Sequence, residues 1–327
     1  MGGKLFHLPR MPRAEYVVRE AAVRAALDGL GITYRIPRFY GDKVDFGDMD
    51  VIVPMPPDWQ AQRQAIVEAL GIVETKSVGR LFSTVFRGLQ TDFFAVPPQY
   101  LESTYNFMSF NDLGNLIGRM CRRFELKWGE QGLSYVFRRS SAENYVVDIP
   151  VTQDFARVCT FLGLDHTVWE SGFATLVELY EWVITSPYFS VVPYLDEVKH
   201  TRERPTIARF REFLDERKIA ARPEFADRKS YLPQVAAAFP EAHLLERLAA
   251  ERAAETRAVE ITVKWNGDLV MRLRPERDQA LGALMKAFKR SIAPTDIEFD
   301  AWVLATPAFD IEQRIVEFGF EDRRDTY

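Results

Sequence analysis

Residues 39–53 read FYGDKVDFGDMDVIV. Asp48 and Asp50 stand one residue apart, immediately before the apolar run Val51-Ile52-Val53. A short β-branched run of this kind predicts a buried strand, and an acid placed there is expensive. Side chains alternate along a strand, so Asp48 and Asp50 share one face about 7 Å apart. Two carboxylates that close repel each other and raise one pKa unless a cation lies between them. A hard divalent ion suits such a pair, since magnesium is held by one or two carboxylates together with substrate phosphates.

A third acid fits the same purpose. Asp92, in LQTDFFAV, lies between strand-like flanks where an unpaired carboxylate is costly. Three acids on adjacent strands can hold two metals about 3.5–4 Å apart, an arrangement that activates a hydroxyl and stabilises a leaving pyrophosphate. Upstream, Gly41, Asp42 and Lys43 are placed to meet phosphates: glycine lets backbone amides approach an anion, and Lys43 adds a compact charge. Gly47 permits an unusual dihedral directly before Asp48. Without the acids, the same GDK stretch would read as an ordinary turn, and Asp92 as a turn cap.

The chain has 327 residues, enough for two domains, and its 47% apolar content with 24 phenylalanines supplies a sizeable core. No stretch approaches the roughly 20 uninterrupted apolar residues of a membrane-spanning helix. The beginning, MGGKLFHLPRMPRAEY, has no long apolar centre of the signal-peptide kind, so a soluble, cytoplasmic protein is expected. Cys121 and Cys159 sit among apolar neighbours and read as buried free thiols. The four histidines are scattered and match no zinc spacing. With 42 basic and 47 acidic residues the formal charge is −5, which argues against an all-over basic nucleic-acid binder but leaves local basic surfaces open. Such clusters occur in RMCRRFELK (119–127), FRR (137–139), KHTRER (199–204) and KAFKR (286–290), where the plain alternative is the solvated face of a helix.

Along the chain, RAEYVVREAAVRAALDGL (13–30) predicts a helix ending at Gly31, and DMDVIVPM a strand. DWQAQRQAIVEALG (58–71) predicts a second helix. Residues 79–96 predict paired strands turning at Gly88. PPQYLE starts a short helix, and Asn111 or Asp112 can cap the helix that follows. LSYVFRR and NYVVDIPV suggest a closing hairpin around SSAEN. After about residue 150 the pattern turns mainly helical with interspersed prolines, placing a boundary near 150–165 and two domains at 1–155 and 156–327. VEITVKWNGDLVMRL (259–273) is ambiguous, β-branched at first and then helical in spacing.

GDKVDFGDMDVIV, with Asp92 on a later strand, resembles the nucleotidyltransferase signature of the DNA polymerase beta superfamily. FFAVPPQYLESTYNFMSFNDLGNLIGRMCRRFELKWGEQGL is similar to the palm and nucleotide-pocket region of family X DNA polymerases, so the likeness spans roughly residues 35–140. It implies an α+β fold: a palm with a mixed β-sheet and flanking helices, followed by a mainly α-helical nucleic-acid-binding domain. It implies that Asp48 and Asp50 ligate both metals and that Asp92 ligates the catalytic one beside the attacking hydroxyl. Phe107 and Met108 would shape the sugar pocket, and Asp112 and Asn115 would face the base; a helix cap and a polar surface position are the plain alternatives for the last two. Two positions depart from the family pattern: Gly41-Asp42 replaces Gly-Ser or Gly-Gly, and Gln90 replaces an Arg two residues before the third Asp. Paired helix-hairpin-helix glycine motifs and an upstream lyase-type domain are not found.

The whole-chain pattern is closer to phage-type poly(A) polymerase or tRNA nucleotidyltransferase-like proteins, through GGKLF, NDLGNLIGRM, SPYF (186–189) and KWNGDLVMRLRPERDQALGALMKAFK (264–289). That implies a helical platform for an RNA end, with Lys264, Arg272, Lys286, Lys289 and Arg290 as phosphate contacts; Arg119, Arg122 and Arg123 of the basic cluster 119–127 are further candidate nucleic-acid contacts. The expected activity is transfer of a nucleoside monophosphate from an NTP to a nucleic-acid 3′-hydroxyl with two Mg²⁺ ions, or Mn²⁺, an RNA or tRNA end being favoured. Two alternatives stand beside it: a minimal polymerase using dNTPs on a DNA primer-template, and a transferase that nucleotidylates a protein, as some toxin–antitoxin enzymes do.

Overall fold

The computed structural model describes residues 5–139, 146–195, 205–219 and 228–319. Strand β1 (Met11–Pro12) leads into helix α1 (Arg13–Gly29), and β1 pairs antiparallel with β2 (Asp45–Phe46). The acid-bearing run forms strand β3 (Asp48–Pro54), followed by helix α2 (Trp59–Leu70). Asp58 caps α2 by accepting from Ala61 N at 2.9 Å, and Gly71 ends it in the left-handed region at φ 62°. Strands β4 (Thr75–Val78), β5 (Leu81–Phe86) and β6 (Leu89–Val96) complete a four-stranded sheet ordered β3-β6-β5-β4. Arg87 and Gly88, both at positive φ, make the two-residue turn between β5 and β6. Because β6 runs parallel to β3 and antiparallel to β5, the sheet is mixed.

Alternation divides the central strands into two faces. Met49, Val51 and Val53 of β3, with Phe93 and Ala95 of β6, are buried in a core shared with Tyr16, Val23 and Leu27 of α1 and Ile66 of α2. Each large apolar side chain so buried contributes about 1.5–3 kcal/mol. The opposite face carries Asp48, Asp50 and Ile52 on β3 and Gln90, Asp92 and Phe94 on β6. There Ile52 and Val96 pack with Leu101, Tyr105 and Met108 of helix α3 (Leu101–Met108). The acids therefore occupy the end of a face whose other end is closed by α3.

Helix α4 (Leu113–Cys121) follows, burying Leu113, Leu116, Ile117 and Met120 at helical spacing. Strands β7 (Leu126–Gly129), β8 (Gly132–Arg138) and β9 (Val146–Thr152) form a second sheet in that order. The turn expected at SSAEN (140–144) lies outside the described residues. Helices α5 (Phe155–Leu162), α6 (His166–Ser171), α7 (Leu176–Ile184), α8 (Val192–Leu195), α9 (Pro205–Glu216) and α10 (Leu232–Ala238) come next. The Tyr194 hydroxyl donates to Leu116 O at 2.8 Å, and Phe124 meets Phe161 and Tyr188 edge-on, each at 5.0 Å. Residues 1–137 and 147–244 accordingly form one compact unit, which runs past the composition change near residue 150.

Residues 138–146 and 245–327 form the second unit. Its helices are α11 (Leu244–Lys264), α12 (Gly267–Leu273), α13 (Asp278–Ile292), α14 (Asp296–Ala305) and α15 (Ala308–Glu317). Their core includes Trp265, Leu269, Val270, Phe288, Phe299 and Val303. The ambiguous run 259–273 resolves into the end of α11 and all of α12, with Asn266 Oδ1 capping α12 by accepting from Leu269 N at 2.8 Å. The fold is thus α+β, a mixed sheet with flanking helices followed by a helical C-terminal region. Cys121 and Cys159 are free and buried, as expected. Among the described residues, no helix is long and apolar enough to cross a membrane.

Gly114 offers a test of how α3 and α4 are docked. A Cβ at this position would fall on the Phe107 carbonyl oxygen and 2.7 Å from its ring carbon Cδ2. Gly→Ala within a helix ordinarily gains about 1 kcal/mol. Here Gly114→Ala is expected to destabilise instead, by about 1–3 kcal/mol as an overpacked site does. Urea unfolding of the two proteins reads the sign directly.

Candidate metal centre

The parallel register of β3 and β6 sets Asp50 directly beside Asp92, while Asp48 faces Gln90. Asp48, Asp50 and Asp92 each offer a carboxylate oxygen, all within 4.8 Å of one another. Asp92 is buried at 6% exposure. Its Oδ2 accepts from Gln90 Nε2 at 2.9 Å, whereas its Oδ1 is buried with no hydrogen-bond partner. Gln90 is itself held, its Oε1 accepting from Leu5 N at 3.2 Å. The Gln90 amide thus helps to position the third acid.

The charges are unfavourable as they stand. Burial, then the Asp48 and Asp92 carboxylates, pushes Asp50 up to about 8. Burial and Asp92 raise Asp48, with Lys43 and Arg10 opposing. Burial also raises Asp92; the Ser83 hydroxyl, on the residue paired with Asp92 across β5 and β6, and then the Gln90 amide work against that rise. An oxygen-only donor set, crowded with negative charge and carrying an orphaned buried oxygen, fits a hard divalent cation.

The acids adjoin a pocket of about 1330 Å³. Lys43, Gly47, Phe107, Met108, Asp112 and Asn115, all expected from the sequence, line it together with Asp48 and Asp50. Lys43 Nζ donates to Asn111 Oδ1 at 2.9 Å and lies 4.2 Å over the Phe46 ring. Burial lowers Lys43 to about 8, with Asp48 opposing. Asp112 is the residue at the start of α4 but makes no side-chain cap; its Oδ1 accepts from Asn115 Nδ2 at 3.1 Å.

Gly41 and Asp42, expected at a phosphate cradle, are both tied to the segment 173–176. Gly41 N donates to Phe173 O at 2.8 Å, and a Cβ there would meet Ala174 O at 2.6 Å. Asp42 lines the pocket, but its Oδ1 accepts from Leu176 N at 3.2 Å, at the start of α7 where a negative charge is favoured. Glycine is therefore required by a close backbone approach, and the acid by a helix N-terminus. Arg38, which the sequence reading missed, reinforces the same junction: Nη1 donates to Trp169 O at 2.8 Å and the guanidinium stacks 4.9 Å over Phe110. Arg10, Tyr40, Asn111, Thr206 and Arg209 also line the pocket. Arg10, Thr206 and Arg209 fall in no motif, because long chain segments separate them from the acids.

The expected nucleic-acid contacts divide. Arg119 donates to Pro193 O at 2.7 Å and Arg123, buried at 7% exposure, to Tyr188 O at 3.2 Å; both tie α4 and the turn after it to the segment 186–195. Lys264 donates to Leu304 O at 3.1 Å and pairs with Glu260 at 2.8 Å inside the second unit. Each of these three basic groups is thus engaged with a backbone carbonyl. Arg122, Arg272, Lys286 and Arg290 are exposed, and Lys289 pairs with Asp296 at 3.2 Å. The KHTRER cluster lies outside the described residues.

No protein-family model and no curated protein matches the sequence. Among solved structures, the chain is similar to Leishmania infantum polymerase beta in a ternary P/T complex, at 16% identity and a TM-score of 0.33, over 42% of this chain and 62% of that one. It is also similar to the same enzyme in a ternary gap complex, at 17% identity and a TM-score of 0.32, over 40% of this chain and 52% of the other. The chain therefore spans less than two thirds of either neighbour. At such values the chemistry rests on the residues of the site.

A raised Asp50 makes the metal-free protein pH-sensitive in a defined direction. An acid that binds its proton more tightly folded than unfolded stabilises the fold at low pH, and that contribution is lost as pH climbs from about 4 through about 8. In EDTA the unfolding midpoint is expected to fall by several degrees between pH 5 and pH 8, and Asp50→Asn to flatten most of that slope. Added Mg²⁺ should raise the midpoint more at pH 8 than at pH 6. Scanning calorimetry across that window checks all three outcomes.

Proposed function

We propose that this chain is a divalent-metal-dependent nucleotidyltransferase that moves a nucleoside monophosphate from a nucleoside triphosphate to the 3′-hydroxyl of a nucleic acid. The reading is carried by the triad: three carboxylates with oxygens within 4.8 Å of one another, among them the buried Asp92, whose Oδ1 makes no hydrogen bond. Asp48, Asp50 and Asp92 would hold the metal, Mg²⁺ or Mn²⁺, which when bound lowers the pKa of the attacking hydroxyl and offsets charge on the leaving pyrophosphate.

The chain's own residues supply position and charge. Asp92, oriented by Gln90, has an affinity for protons raised by burial, which suits it to take the proton of the incoming hydroxyl. Lys43, fixed by Asn111, brings positive charge to the phosphates beside Asp48. Phe107 and Met108 give the pocket an apolar wall for the sugar, and the mutually bonded Asp112 and Asn115 offer polar edges to a base. An RNA end, a tRNA terminus first, is the favoured acceptor; the support is the likeness of residues 264–289 to the ends of CCA- and poly(A)-adding enzymes, a segment that here forms α12 and α13 with Lys286 and Arg290 exposed.

Each NTP and dNTP, offered singly with Mg²⁺ to a tRNA, a generic RNA and a DNA primer-template, tests the proposal. Extension of an RNA 3′ end with NTPs is expected. Asp48→Asn and Asp92→Asn should lower it about a hundredfold or more, and Gln90→Leu, which frees Asp92 to turn, about 10- to 100-fold. Template-directed dNTP use would instead make the protein a DNA polymerase. A labelled protein band with no extended nucleic acid would move the acceptor to protein. Extension undiminished in Asp48→Asn would end the two-metal reading.

A further inference from the structure

Tracing each charge of the pocket to its partner leaves a remainder. Arg10 Nε donates to Asp45 at 2.8 Å, Asp42 holds the start of α7, Asp112 accepts from Asn115, and Glu130 pairs with Arg80. Arg38 is taken up by the Trp169 carbonyl and two aromatic rings. What remains is the negative charge of Asp48 and Asp50, the charge of Lys43, whose hydrogen bond goes to a neutral amide, and Arg209. Arg209 is exposed, lines the pocket, and has no hydrogen bond or ion pair among the described residues.

Its position is built rather than incidental. Thr206, one turn earlier on α9, lines the same pocket, so one helix face looks inward. The Tyr180 hydroxyl donates to Thr206 O at 2.9 Å, fixing the start of α9 to α7. Helix α7 is in turn held at Leu176 by Asp42, six residues before the first acid. The guanidinium lies close enough to the Tyr40 and Tyr180 hydroxyls to act on both electrostatically. A cation whose hydrogen-bonding fork has no protein partner, on a wall anchored to the acidic strand, is available to an anion of matching geometry, and a phosphate group takes such a fork through two parallel bonds.

We infer that Arg209 is the anchor for the phosphate tail of the triphosphate, with the acids gripping that tail through metal at one end of the pocket and Arg209 meeting its distal phosphates. The assignment rests on the nucleotidyltransferase reading and extends it to a residue that no motif marks. Arg209 acts in binding: it fixes the leaving group in place and does not exchange protons with it.

Isothermal titration with magnesium tripolyphosphate, ATP and adenosine, on the full chain and on Arg209→Ala and Arg209→Lys, tests this without requiring turnover. Arg209→Ala is expected to weaken tripolyphosphate and ATP about ten- to hundredfold and to leave adenosine unchanged. Arg209→Lys should recover part of the loss. Its exposure and lack of partners predict an unaltered unfolding midpoint for both variants, which separates lost binding from lost fold. Equal tripolyphosphate affinity in wild type and Arg209→Ala, or no tripolyphosphate binding by wild type, overturns the assignment. So does a loss confined to binding of an RNA end. If tripolyphosphate binding weakens as expected while no acceptor is ever extended, Arg209 keeps its role and the transfer reaction is what fails.

Discussion

Three carboxylates on two hydrogen-bonded parallel strands are the feature on which the site depends. Asp50 and Asp92 are in register, and Asp48 is two residues away on the same face. Water cannot screen Asp92 at 6% exposure, so the strain of like charge is held within the protein. What keeps the acids there is the other face of the same strands. Met49, Val51 and Val53 are buried in the core with Phe93 and Ala95. A slip of one residue would turn the acids into that apolar core and those side chains out of it, so the core fixes the register and the register fixes the acids.

The wall opposite the acids is assembled from far along the chain. Asp42 reaches Leu176 across 134 residues, and Arg38 reaches Trp169 across 131. The GD turn is therefore a joint: it docks α7 against the strand that carries the acids, and α7 carries α9 through Tyr180 and Thr206. The amides of Gly41 and Lys43 are engaged by backbone carbonyls, and the pocket is lined by the cationic side chains of Lys43 and Arg209.

The parts legible in the sequence share a local signal. Strand β3 showed itself by its β-branched run, α2 by Asp58 and Gly71 at its ends, and the β5–β6 turn by Gly88, since each depends on residues within one or two turns. The acids were legible because period-two spacing dictates their face. The partners of Arg119, Arg123 and Lys264 were not. A basic residue on a helix gives the same pattern whether it faces a phosphate or a backbone carbonyl, and Pro193, Tyr188 and Leu304 lie 40 or more residues away. The β-branched start of 259–273 misled for a related reason: Ile261 and Trp265 pack into a helical core, and tertiary burial outweighs intrinsic strand preference.

Gln90 shows how the chain handles the third acid. An arginine two residues before Asp92 would share its face and pair with it, lowering its affinity for protons and competing with a bound cation for its oxygens. The neutral amide of Gln90 orients Asp92 through one bond at 2.9 Å and leaves its full negative charge in place. Leu5 N, donating to Gln90 Oε1, stops the amide from rotating away. One oxygen of Asp92 is thereby fixed and the other left without a protein partner. Holding Asp92 without neutralising it requires donors that are neutral and themselves restrained; Gln90, fixed by Leu5, meets both conditions, and Ser83, paired with Asp92 across β5 and β6, adds a second neutral group.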